Sequence, residues 1–451
     1  MDDSRNALLP RLLRVVSVLA LLVVGPGAAL AADVQDDILA QTAIVRGLQP
    51  KASVPFAFAD PAKLRQDLLG SYTSDKAVRE FETSRKLLVI LGLLNPDADL
   101  RGMLIDLYAE NVVGYYNHED KKMYVVSGAT SFGPEQKVTL SHEFTHALQD
   151  QYFDLGKVED LPGDNGDYSA AVQALIEGDA TLTMVLYARQ YLNPDELFLV
   201  QTSSEPSSLD RAPLVVHDEV VFPYNEGALF ALNLWLEGGY DAINAAFADP
   251  PRSSEQIIHP DKYLAHEPPI EVALPDLAAA LGPGWRQLRS DVLGELDVRI
   301  LLEQFLDPSV AARGAEGWGG DRFALLENAA GQNALLLNTV WDSNDEAGEF
   351  FNDYVDTVTA RYGTRARRTE EVPSKVAWTT PNGSLLVQKW GPRVVIIFAP
   401  DSGTMNSLLA AVAPGAPATS AAATAPPAPT AAQPTSQPPG PRPAPVQIPS
   451  R

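Results

Sequence analysis

The chain contains no cysteine. Disulfides, cysteine-ligated metal and thiol nucleophiles are therefore excluded, and any metal site must draw on histidine, aspartate or glutamate. Histidine is itself scarce, with 6 in 451 residues. Positive charge is short as well: 34 Lys and Arg stand against 58 Asp and Glu, for a formal net charge of −24. That balance argues against nucleic-acid binding, which requires a basic face, and against docking on anionic lipid. Long apolar runs are missing beyond the N-terminus, so no stable membrane span is expected in the mature chain. What is present is 45% hydrophobic and 20% charged, the composition of a globular protein with a sizeable core. The length fits two or three domains of about 100–200 residues each.

The N-terminus reads as an export signal. Arg5, Arg11 and Arg14 supply a positive segment, and Val15 to Val24 form a short apolar core. Gly25-Pro26-Gly27 breaks it, and Ala29-Leu30-Ala31 matches a small-x-small cleavage site. Residues 1–31 are expected to be a cleaved signal peptide; the alternative is an uncleaved N-terminal anchor. Either places the body of the chain outside the cytoplasm, secreted or in the cell envelope. Residues 32–110 read as a helical segment, with apolar spacing clearest at Val78, Phe81, Leu87, Leu88 and Leu91. A hairpin follows, in which Val112–Tyr116 and Met123–Val126 flank a polar turn. Further helices are expected at 134–152, 168–192, 223–247 and 285–306. From 318 strands are expected at 322–327, 334–341, 376–380, 384–390 and 394–398, with a helix at 344–362. That alternation points to a small α+β domain over 315–400. Residues 401–451 close the chain as an expected disordered tail. Beyond Pro414 it is Ala, Pro, Thr and Ser with almost no large apolar residue.

In the run His142-Glu143-Phe144-Thr145-His146, two of the six histidines stand four apart. On a helix this sets both imidazoles on one face, about one turn apart, within reach of one ion. Glu143 lies beside the pair. From there a carboxylate can take a proton from a water that a metal has acidified, without being a ligand itself. Leu140, Phe144 and Leu148 form an apolar stripe on the opposite face. Catalytic zinc takes three protein ligands and keeps a fourth position open. A metzincin would continue the motif with a glycine and a third histidine, but those places hold Gln149 and Tyr152. The stronger candidate is Glu177, on a helical face with Ala170, Ala174, Ala180, Thr181 and Met184. A carboxylate buried there is costly unless something pairs with it. Gly178, unfavourable in a helix interior, marks a place where helices can approach closely. Asp150, Asp154 and Asp179 are the other ligand candidates.

HExxH on one helix with a glutamate on the next resembles the gluzincins, the thermolysin-like zinc metallopeptidases, over roughly residues 110–190. The wider run HEFTHALQDQYFDL with EGDAT downstream is also similar to uncharacterised exported bacterial proteins that carry a gluzincin-like motif. The resemblance implies that His142, His146 and Glu177 hold one catalytic zinc ion and that Glu143 is the general base. It implies that the hairpin ahead of the motif is an edge strand beside which an extended peptide or protein substrate lies. It implies an α+β chain in which a mainly helical, zincin-like catalytic domain at 111–314 bears a small edge-strand sheet and precedes the small α+β domain. One position departs from the family. Gluzincins often carry an acidic residue four after the glutamate ligand, and here that place is Thr181. Asp179 is only two away and points elsewhere on an ideal helix.

A zinc peptidase also needs electrophilic help for the developing oxyanion. His259 and Tyr224 are the candidates, against the plainer readings of a loop histidine and a packed tyrosine. Tyr115 and Tyr116 read as sheet-packing residues, and His118 as a solvated turn residue. His217 and His266 fit no pattern. Two competing functions stand beside a zinc peptidase. One is a non-catalytic zincin-fold protein that binds zinc or peptide, which has no use for an intact Glu143. The other is a zinc hydrolase acting on non-peptide amides.

Overall fold

The computed structural model describes residues 28–59, 74–111, 114–126, 133–202 and 208–414. Most of the expected signal peptide, Val112 and Val113 of the hairpin, and the chain beyond 414 lie outside the described residues. The helical region begins with α1 (Ala28–Arg46), β1 (Phe56–Ala59), α2 (Asp75–Leu91) and α3 (Leu100–Asn111). It continues with β2 (Gly114–Asn117), β3 (Lys122–Val126), α4 (Pro134–Phe153), α5 (Leu155–Asp160), α6 (Gly166–Tyr191) and α7 (Pro194–Thr202). The long α8 (Leu214–Ala248), then α9 (Ser254–Ile258), α10 (Pro260–Leu264) and α11 (Leu277–Leu281) complete it. Among the described residues no helix is long and apolar enough to cross a membrane.

The C-terminal region holds β4 (Trp285–Asp291), α12 (Gly294–Glu303), α13 (Pro308–Ala315), β5 (Trp318–Asn328), β6 (Asn333–Trp341) and α14 (Asn344–Tyr362). It ends with β7 (Arg367–Val372), β8 (Lys375–Thr380), β9 (Gly383–Trp390), β10 (Arg393–Ala399) and α15 (Ser402–Val412). Its seven strands lie antiparallel in the order β4-β5-β6-β10-β9-β8-β7. Side chains alternate across it. Phe323, Leu325, Leu335, Leu337, Val394 and Ile396 join the core shared with α14 and the helical region. Ala324, Leu326, Ala334, Leu336, Val395 and Ile397 face the other way, onto Leu277 of α11 and Met405, Leu408 and Val412 of α15. A sheet apolar on both faces needs cover on both faces, and these helices supply it.

The α+β class holds, and several expected boundaries are corrected. Residues 32–110 are not purely helical. The alternating Phe56-Ala57-Phe58-Ala59 forms β1 and pairs parallel with β3, whose other neighbour is the antiparallel β2. Residues 285–291, expected as the start of a helix, form β4, because pairing with β5 outweighs weak local preference. Gly294, with φ +80, turns the chain from β4 into α12. The C-terminal region therefore begins near 284, not 315. It also extends past 400, since Ser402–Val412 is the covering helix α15 and not tail. β7 escapes the sequence pattern because all six of its residues are exposed; its Arg and Glu side chains protect a sheet edge. α8 starts nine residues before the expected 223 and carries Pro223 within it.

Candidate metal centre

Pro134 opens α4 at a position where its missing N–H costs nothing. The helix runs past the motif to Phe153 and stops at Asp154, which adopts a left-handed conformation with φ 58. α6 starts where Asn165 accepts from the Tyr168 N–H. α6 crosses α8 at a pair of glycines. A Cβ on Gly178 would collide with the Gly227 carbonyl, and one on Gly227 with the Ala174 carbonyl. The close approach expected at Gly178 is thus present, and it brings Glu177 and Tyr224 to the motif helix.

Three ligand atoms converge there. His142 Nε2 lies 3.0 Å from His146 Nε2 and 3.0 Å from Glu177 Oε2, and His146 Nε2 lies 3.4 Å from that same oxygen. These are the edges of a tetrahedral face whose bonds to a central ion are about 2.0–2.1 Å, which require edges of roughly 3.3 Å. All three residues are buried. The second oxygen of Glu177 accepts from Gln173 Nε2 at 2.9 Å. Burial works to raise the Glu177 pKa, but the two imidazoles outweigh it and hold the carboxyl well below the usual range. Burial pushes His142 down, toward the neutral form a metal requires. His146 Nδ1 donates to Gln149 Oε1 at 2.8 Å, so it is the Nε2 that is turned to the converging point.

Glu143 is 1% exposed. Its Oε2 accepts the main-chain N–H of Tyr116 on β2 at 2.9 Å, and its Oε1 has no hydrogen-bond partner among the described residues. Burial pushes its pKa up to about 8, against the lowering effect of His146 and the Tyr116 N–H. The Tyr116 hydroxyl donates to Asp150 at 2.7 Å, so β2 is tied to α4 at two points. The sequence reading treats Tyr116 as packing only. The link from its backbone to Glu143 leaves no side-chain signature.

Of the oxyanion candidates, Tyr224 stands beside the ligands, its ring centre 6.1 Å from that of His142. His259 lies where α9 meets α10 and pairs with Glu295 at 2.9 Å, which raises its pKa. Among the described residues no hydrogen bond or ion pair joins it to the ligand group. None of the alternative ligands faces the converging point. Asp150 binds Tyr116 and Lys121, Asp154 pairs with Lys157, and Asp179 receives Gln149 and Arg46. The Nδ1 of His142 and the Oγ1 of Thr181 are both buried without a partner among the described residues. Thr181 therefore makes no hydrogen bond to that imidazole. His118 lies 3.7 Å from Glu159, His217 pairs with Asp218, and the mostly exposed His266 has φ 54.

Two imidazoles and a carboxylate, with a further carboxylate held beside them, form a donor set that could hold a metal ion. The residues fit a metal ion: three buried donor atoms, 3.0 to 3.4 Å apart, converge on one point. A family model described as "Domain of unknown function (DUF8575)" matches residues 284–409. The match covers the C-terminal sheet from β4 into α15 and leaves the ligand-bearing helices outside it. No curated protein and no solved structure matches the chain.

Proposed function

We propose that the protein is an exported zinc-dependent metallopeptidase with a zincin-like helical domain. It acts on peptide or protein substrates in a secreted or cell-envelope setting. The observation that carries this reading is the convergence of His142 Nε2, His146 Nε2 and Glu177 Oε2, with Glu143 next to them and held by the edge strand. A bound zinc ion supplies Lewis-acid chemistry, lowering the pKa of a water to about 7 and polarising the scissile carbonyl. Glu143 takes the proton of the attacking water and passes it to the departing amine. Its burial raises its pKa, which strengthens it as a base. β2, at the edge of the small sheet, aligns an extended substrate by main-chain hydrogen bonds. Tyr224, whose ring lies beside that of His142, donates to the developing oxyanion.

The test is zinc content and casein cleavage for the mature protein and for Glu143→Gln. The expected outcome is zinc retained in both and cleavage lowered about 10²–10⁴-fold in the variant. Equal cleavage by the two proteins overturns the reading.

A further inference from the structure

We infer that Arg46 is a positioning residue for His146, which makes the N-terminal helix α1 a working part of the metal site. The inference rests on the zinc reading above. His146 can offer Nε2 to a metal only while its Nδ1 carries the proton and donates it. The acceptor is the Oε1 of Gln149. A carboxamide can turn either end toward an imidazole, and the wrong end would fix the wrong tautomer. Gln149 is held the right way round by its amino group, which donates to the Ile176 carbonyl at 3.0 Å and to Asp179 Oδ2 at 2.8 Å. Asp179 in turn meets the Arg46 Nε, 2.7 and 2.9 Å from its two oxygens. Arg46 and Asp179 lie 133 residues apart in sequence, and both side chains are 0% exposed.

Arg46 is fixed from the far side as well. Its Nη2 donates to Asn244 Oδ1 at 2.8 Å, and its guanidinium stands 4.5 Å from the centre of the Tyr240 ring. Both partners follow the break in α8 at Gly238 and Gly239. Gly239 has φ 64 and ψ −157, a region open to glycine and few others. α1 also covers the apolar stripe of the motif helix. Ile38 packs with Leu140 and Phe144, and Ala43 and Leu48 pack with Leu148. Loss of Arg46 would leave a buried carboxylate without its counter-charge. Asp179 would then no longer hold the Gln149 amide, and the His146 tautomer would no longer be set. A cut that removed the chain through Pro50 would remove Arg46 and the cover of α4 together, so this segment is no dispensable pro-segment.

The test measures zinc affinity by chelator competition in the full mature protein, with the Tm of the metal-free form alongside. Arg46→Met should weaken zinc binding about 10–100-fold, and Arg46→Lys should restore part of the loss. A double variant with Gln149→Met should lose no more than Gln149→Met alone, because both changes act on one imidazole. An ion pair with a purely structural role would lower the Tm and leave zinc affinity unchanged, and that result overturns the inference. So does a double variant whose loss is the product of the two single losses. If Arg46→Met fails to fold, Asp179→Asn carries the same test: weaker zinc binding supports the inference and wild-type affinity overturns it. Wild-type protein that binds zinc and cleaves nothing sinks the peptidase reading but leaves Arg46 in its role. Wild-type protein that binds no zinc overturns both.

Discussion

The motif helix and the central strands of the C-terminal sheet are both buried, yet they are built from opposite materials. In α4 every residue from Val138 to Asp150 is buried, and Thr139, Ser141, His142, Glu143, Thr145, His146, Gln149 and Asp150 are polar. In β6 and β10 the buried runs are Ala334 to Leu337 and Val394 to Ile397. The polar exceptions there are settled within the sheet, where Asn338 accepts from Arg393 and Thr339 bonds Val394 and Trp341. Each polar group taken from water costs stability unless it is paired. A helix that buries eight of them, including two imidazoles and two carboxylates, is not optimised for stability. Its packing fixes side-chain positions. The sheet, apolar on both faces, provides cohesion for the molecule.

Paired truncations break this comparison most directly. Glu177→Ala removes one of the three converging ligands. It should weaken zinc binding by more than the roughly 10–100-fold that loss of an outer partner costs. It should also lower the stability of the metal-free protein, since His142 and His146 lose the carboxylate paired with them. Leu336→Ala, 0% exposed in the sheet, should cost about 2–5 kcal/mol of stability and leave zinc affinity within twofold of wild type. Chelator competition and denaturant unfolding on both variants separate the two effects. A Glu177→Ala protein with full zinc affinity would remove the reason for its polar core. A smaller change couples the two roles. Gly178→Ala drives a Cβ into the Gly227 carbonyl and should cost about 1–3 kcal/mol. It should also weaken zinc binding, because the same crossing carries Glu177 and Tyr224.

These contrasts also explain what could be read from sequence. His142, His146 and Glu143 were legible because their relation is local: four residues along one helix fix the geometry. Glu177 was legible as a carboxylate on a face of small residues, and Gly178 as a place of close approach. Arg46, Gln149 and Asp179 were not, because their links span 133 and 30 residues and no periodicity encodes them. The Tyr116 contact was invisible for a different reason, since it is made by backbone that every residue has. In the sheet, strands that bury both faces read as apolar runs. β4 and β7, which sit at its two edges, carry charged and exposed residues and lack that signal. α15 was missed because its small residues blend into the Ala- and Ser-rich chain that follows.

The smallest predicted effect lies at the seam between the two regions. There Asp291 of β4 accepts the N–H of Gly166 at the start of α6. Asp321 of β5 accepts the N–H groups of Leu293 and Gly294 and the indole of Trp318. Asp291 and Asp321 are 0% and 2% exposed, and burial pushes each up to about 6. Arg289 and Arg322 oppose the rise at Asp291, while Asp291 itself adds to the rise at Asp321. Carboxyls whose folded pKa is raised hold protons that the unfolded chain releases. Their contribution to stability is full below about pH 4 and is lost as pH rises through about 6. The metal-free protein should therefore lose a few degrees of Tm between pH 5.0 and pH 7.5 from this source. Glu143, pushed up to about 8 by its burial, also binds protons across this interval, so the wild-type slope alone does not isolate the seam. Asp321→Asn, which removes one titrating carboxyl and leaves the ligands untouched, should lose less Tm over that interval than the wild type. An unchanged slope would mean that the seam carboxyls are not protonated in the folded state. It would follow that the N–H groups of Gly166, Leu293 and Gly294 hold them ionised against their burial.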